Sequence, residues 1–151
     1  MNLGKSTRYA LYAAMEMAAG PERAVTVGEV ARRYRVPAGA LAKVFQQLVR
    51  AGLTVGTRGV GGGYRLARKP SAITLLDVMN AFQPPRPAGR CLLAELPEEC
   101  DLSHACRLRQ VFDEVDEVSR STFASITLET LVGRAKKDEH PALIAPRRAV
   151  R

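Results

Sequence analysis

At 151 residues, with 46 % apolar and 25 % charged side chains, the chain has the size and composition of one compact domain carrying an extra element or two. No apolar run approaches the roughly 20 residues of a membrane span, and the N-terminal stretch lacks the long apolar core of a signal peptide, so a cytoplasmic protein is expected. The net charge of +8 is uneven: residues 1–90 carry 14 Lys and Arg against four Asp and Glu, residues 91–135 four against nine, and residues 136–151 five against two, so a polyanion is attracted to the first part and repelled by the second.

Ser6 or Thr7 can cap a first helix that runs to about Ala19, ends at Gly20-Pro21, and carries Leu11, Ala14, Met15 and Ala18 on one stripe. Thr26-Val27-Gly28-Glu29 is a capping box, in which the Thr26 hydroxyl and the Glu29 carboxylate each satisfy a free amide, and it opens a short helix to about Tyr34. Pro37 suits a first helical position, and Leu41, Val44, Phe45, Leu48 and Val49 follow at helical spacing until Gly52. Two short helices joined by a tight turn read as a helix-turn-helix. The face opposite the apolar stripe carries Lys43, Gln46, Gln47 and Arg50, long donors that reach phosphates and base edges, although a merely solvated face shows the same pattern.

Two alternating runs around a glycine-rich turn follow, Leu53 to Arg68, and predict a β-hairpin wing with Arg58 and Arg65 flanking its tip. A nucleotide-binding loop is the rival reading. It fails because no Gly-Lys-Ser/Thr follows, Tyr64 holds the place of the last glycine of a dinucleotide fingerprint, and no helix opens there. Thr74 with Asp77 is a second capping signal for a helix bearing Leu75, Leu76, Val78, Met79 and Phe82, which Pro84-Pro85 stops. From about Cys106 a long helix is expected, with Leu108, Val111, Phe112, Val115, Val118, Thr122, Phe123 and Ile126 close to a heptad seam. Such a seam either folds back or pairs with its copy, and a dimer suits DNA sites built as inverted repeats.

The fold class is therefore mainly α with a small hairpin: a winged helix-turn-helix over 1–82, a cysteine-containing loop over 83–106, a dimerisation helix over 107–134 and a disordered basic tail over 135–151. All three cysteines, Cys91, Cys100 and Cys106, lie in that loop. An odd number in a cytosolic chain argues against a disulfide framework and leaves a cluster, zinc or plain thiols. Closed zinc sites usually show paired Cys-x-x-Cys steps, which are absent here, whereas three thiolates on irregular backbone can converge on sulfide-bridged iron. His104 and His140 have no nucleophile or paired-carboxylate constellation around them, so no enzyme is expected.

Asn2 to Leu11, Leu48-Val49-Arg50-Ala51-Gly52-Leu53, Arg58 to Ala67, Ile73 to Val78 and the cysteine trio resemble the Rrf-two superfamily of bacterial winged-helix repressors, the group of IscR, NsrR and RirA, over roughly residues 2–132. The block Cys100 to Gln110, with Ile126 to Leu131, looks most like the NsrR and RirA branches. The resemblance implies a homodimer that binds double-stranded DNA at an inverted-repeat operator through the helix at 37–51 and the wing. It also implies an iron–sulfur cluster, [2Fe-2S] or [4Fe-4S], held by Cys91, Cys100 and Cys106 and sensing nitric oxide, redox state or iron supply. Here the chain departs from its relatives: the aspartate used by some NsrR proteins is matched by Arg8, and the histidine used by the IscR branch by Arg109. His104, Asp101, Glu98, Glu99 or a non-protein group remain for the fourth position. The alternative is a cluster-free winged-helix regulator controlled by a protein partner or by thiol oxidation.

Overall fold

The computed structural model describes residues 3–59, 61–83 and 106–137. Its elements are α1 (Lys5–Ala19), α2 (Val27–Tyr34), α3 (Ala38–Arg50), β1 (Thr54–Thr57), β2 (Gly63–Leu66), a single 3-10 turn at Pro70–Ala72, α4 (Leu75–Asn80), α5 (Arg107–Ser125) and α6 (Leu128–Lys137). The mainly helical, winged helix-turn-helix class is as expected.

Helix α1 is the hub, packing against α3, α4 and α6. It can be approached closely because its inner face is made of small side chains, Ala10, Ala13 and Ala14, all essentially inaccessible to solvent. Against them sit Phe45, Leu41 and Leu48 of α3, Ile73 and Val78 around α4, and Leu128 of α6. The expected cap at Ser6 or Thr7 is corrected: the N-cap is Gly4, two or three residues earlier, without a side-chain cap, and Thr7 is buried in the core. Of the expected stripe, Ala14 and Ala18 are buried while Leu11 and Met15 are half-buried, because the inward direction is centred on the alanines and Met17.

Both capping boxes form. Thr26 Oγ1 accepts from the Glu29 amide at 3.2 Å while Glu29 accepts from the Thr26 amide at 2.7 Å, and Thr74 with Asp77 repeats the arrangement at 3.1 and 2.8 Å. The hairpin pairs Thr54 with Leu66 and Thr57 with Gly63 in antiparallel register.

The one helix expected over 107–134 is two. The chain is extended at Ile126-Thr127 and pairs there with the segment before α4: the Leu75 amide donates to the Ile126 carbonyl at 2.8 Å and the Leu128 amide to the Ile73 carbonyl at 2.9 Å. Thr127 Oγ1 then accepts from the Thr130 amide at 3.1 Å and restarts the helix as α6, which lays Leu128 in the core. Helix α5 is thus an arm anchored at its far end, while α6 belongs to the head.

Candidate nucleic-acid interface and cysteine segment

The turn between α2 and α3 is closed by Arg35 in the left-handed conformation (φ 53°, ψ 47°), after which Val36 enters the core and Pro37 caps α3. At the start of α2 the Thr26 amide, then the Arg23 guanidinium, hold the Glu29 carboxyl down to about 2. At the other end of α2, Tyr34 stacks on Tyr12 with ring centres 4.5 Å apart and donates its hydroxyl to Glu16 at 2.8 Å. Burial, followed by that bond to a carboxylate, raises the Tyr34 hydroxyl far above its ordinary range, so it remains a donor. Arg33 closes on the same carboxylate at 3.0 Å. These contacts fix α2 on α1 and so fix the angle at which α3 emerges.

Leu41, Val44, Phe45 and Leu48 of α3 are buried, which leaves Lys43, Gln46 and Arg50 exposed along one line with Gly39. Gln47 is placed differently: it is half-buried, and its Nε2 donates to the carbonyl of Ala81 at 3.1 Å. Lys43 also stands at the rim of an open cleft of about 350 Å³ lined by Ser6, Gly39, Val44 and Phe82.

The wing is fastened to this helix. Tyr64 turns inward and packs its ring on Phe45 at 4.5 Å, and its backbone exchanges two hydrogen bonds of 2.8 Å with Val25, just ahead of α2. That pairing needs a bare backbone beside it, since a Cβ at Gly63 would lie 2.8 Å from the Val25 carbonyl oxygen. Strand alternation then sends Arg65 outward, and Arg58 is exposed on the opposite side of a turn made by Gly59 and Gly61 at φ 102° and 79°. Lys43, Gln46 and Arg50 on α3 and Arg58 and Arg65 on the wing are thus all exposed, on two elements joined through Tyr64 and Phe45. Arg32, Arg35, Arg68 and Lys69 are exposed as well. The sequence pattern does not single out these four, because none lies on α3 or at the wing tip; the position of Arg35 immediately before Val36-Pro37 is the one local signal.

Of the three cysteines, Cys106 is described: half-buried, it occupies the N-cap of α5 without a side-chain hydrogen bond to the helix amides. Cys91 and Cys100, like Glu98, Glu99, Asp101 and His104, lie outside the described residues, and so does the tail from residue 138. Among the described residues no group of three His, Cys, Asp or Glu is placed to hold a metal. Beyond Cys106, Leu108, Val111, Phe112, Val115 and Val118 of α5 are 49–67 % exposed. No helix among the described residues is long and apolar enough to cross a membrane.

The profile of the Rrf2 family, described as iron-dependent transcriptional regulator, matches residues 3–134. The chain is 39 % identical over 132 residues to the HTH-type transcriptional regulator BadM of Rhodopseudomonas palustris, covering 87 % of this chain and 81 % of that protein. It is 29 % identical to an HTH-type transcriptional regulator of Aquifex aeolicus, covering 93 % and 98 %. Among solved structures it is similar to CymR, the global cysteine regulator of B. subtilis, at 27 % identity and a TM-score of 0.67, with 89 % of this chain and 98 % of that one covered. It shares the fold of T. potens IscR at 21 % identity and a TM-score of 0.73, with 92 % and 91 % covered.

Proposed function

The chain belongs to the Rrf2 family, DNA-binding regulators of transcription rather than enzymes, and from that premise we propose a cytoplasmic homodimeric repressor whose hold on an inverted-repeat operator is set by an iron–sulfur cluster. In this reading Lys43, Gln46 and Arg50 enter the major groove while Arg58 and Arg65 of the wing grip phosphates. The apolar seam of α5 pairs with its copy, which carries two reading heads at a fixed separation.

The observation that carries the proposal is the position of Cys106. It ends the cysteine segment and begins the arm, so whatever Cys91, Cys100 and Cys106 hold in common acts directly on the helix that spaces the heads. The donor set fits the group: three soft thiolates suit iron bridged by sulfide, and the first-turn amides of α5 favour an anionic ligand. When bound, a [2Fe-2S] or [4Fe-4S] cluster supplies an iron centre reactive toward nitric oxide or oxidants and dependent on iron supply. The chain's part is to take up two arrangements of α5 against the head, and a difference of about 1–3 kcal/mol in operator binding between them is enough for a switch.

Protein purified without oxygen is expected to absorb in the visible range and to contain iron and acid-labile sulfide, and Cys106→Ala to lose the absorbance and change its operator affinity. Colourless, metal-free protein that does not reconstitute would refute cluster control. The likeness to CymR, named for cysteine regulation, favours a second reading in which the same arm answers to a protein partner or to thiol oxidation. Affinity that changes with thiol oxidation in iron-free protein is its signature.

A further inference from the structure

The C-terminal end of α4 is held from two sides. From α3, Gln47 Nε2 donates to the Ala81 carbonyl at 3.1 Å; from α5, Arg120 Nη1 donates to Oδ1 of the adjacent Asn80 at 3.5 Å. Both bonds are partly shielded from water, where losing a partner costs more than at an open surface. The next residues keep the same company: Phe82 lines the cleft with Lys43 and Val44, and the side-chain Nε2 of Gln83 lies 3.5 Å from where a Cβ on Gly4 would stand. Residues 80–83 therefore touch the reading helix, the start of α1 and the arm, and in sequence they lead directly into the cysteine segment.

A glutamine that reads DNA has to offer its amide outward. The amide nitrogen of Gln47 is instead committed to a backbone oxygen on another element, while its neighbours Lys43, Gln46 and Arg50 face solvent. We infer that Gln47 is a positioning residue: together with Arg120 it clamps the end of α4 between reading helix and arm, so that a displacement of α5 is passed to α3. This rests on the reading that α5 is the moving part of the regulator.

The test is a double-mutant cycle on operator affinity in the full-length protein, with wild type, Arg120→Ala, Gln47→Met and the pair. Arg120 lies on the arm, and Met keeps the length of Gln while removing the donor. Arg120→Ala alone is expected to change affinity by on the order of fivefold, to change nothing further in the Gln47→Met background, and to be rescued by Arg120→Lys. Gln47→Glu, which sets a carboxylate against the Ala81 carbonyl, should behave as Gln47→Met, and thermal midpoints verify that each variant is folded. Additive effects or a silent Arg120→Ala would each overturn the assignment. The cycle needs no cofactor: a wild type whose affinity is the same with and without bound iron removes cluster control, while the clamp still stands or falls on the cycle.

Discussion

Head and arm treat similar side chains in opposite ways. In the head, Phe45, Leu41 and Leu48 are completely buried, whereas on α5 the larger apolar side chains from Leu108 to Val118 stay about half exposed or more. The head closes its core within one chain because α6 returns to cover α1. The arm shows a seam with no cover from its own chain among the described residues, which is how a helix intended for a partner looks. Stability is therefore a property of the head, and in the proposed dimer the spacing between heads falls to the arm.

The sharpest way to break this contrast is to make a large-to-small change in each region. Phe45→Ala removes a ring packed on Tyr64 and on the alanine face of α1, and is expected to cost about 3–5 kcal/mol in equilibrium unfolding. Val115→Ala on the arm should stay within roughly 0.5 kcal/mol in the unfolding of the monomer. A comparable loss in both would mean that the arm is part of the head's core. Val115→Asp sharpens the same point, because a charge in the seam should drive the dimer to monomer in sedimentation at micromolar concentration and weaken operator binding, with the head's thermal unfolding largely unchanged. A variant that remains dimeric would locate the pairing surface elsewhere.

A smaller effect belongs to the side proposed to face DNA. Lys43→Ala and Arg65→Ala should each weaken operator binding modestly and lower the slope of log affinity against log salt by about 0.9 for each phosphate no longer neutralised. Arg33→Ala is the control: it is equally basic in sequence but paired with Glu16, so it should leave the slope unchanged. Equal slopes for all three would separate the positive unit of α3 and wing from DNA binding.

What the sequence made legible follows from how local the determining chemistry is. Thr26 with Glu29 and Thr74 with Asp77 are partners three residues apart, so both helix starts could be read directly. The wing was legible because its glycines mark a turn, although the requirement at Gly63 comes from Val25, far back in the chain. Three features depended on distant neighbours and escaped. The break at Ile126-Thr127 exists because that segment pairs with Ile73 to Leu75, and a helix drawn through 107–134 has no knowledge of such a partner. Thr7 looks like a cap until the alanines of α1 turn it inward. Gln47 sits on the polar side of a helical wheel, and only the end of α4 reveals what it holds.

The smallest effect separates head from arm by pH. Glu29 is held down to about 2 from an ordinary 4.5, first by the Thr26 amide and then by Arg23. A carboxyl depressed in the folded state stabilises fully above its unfolded value, and its contribution fades as pH falls from about 4.5 toward 2. Glu29→Gln keeps a side chain able to close the box but removes the charge, so its thermal midpoint should lie below wild type at neutral pH and converge with it as the solution is acidified through that window. Thr26→Ala, which breaks the box itself, should cost about 0.5–2 kcal/mol and leave a deficit at acid pH as well, because the Glu29 amide loses its acceptor whether or not the carboxyl is charged. The arm takes no part in this cap, so neither substitution should alter dimer dissociation. A gap between Glu29→Gln and wild type that is constant across pH would show that shape rather than charge closes the start of α2.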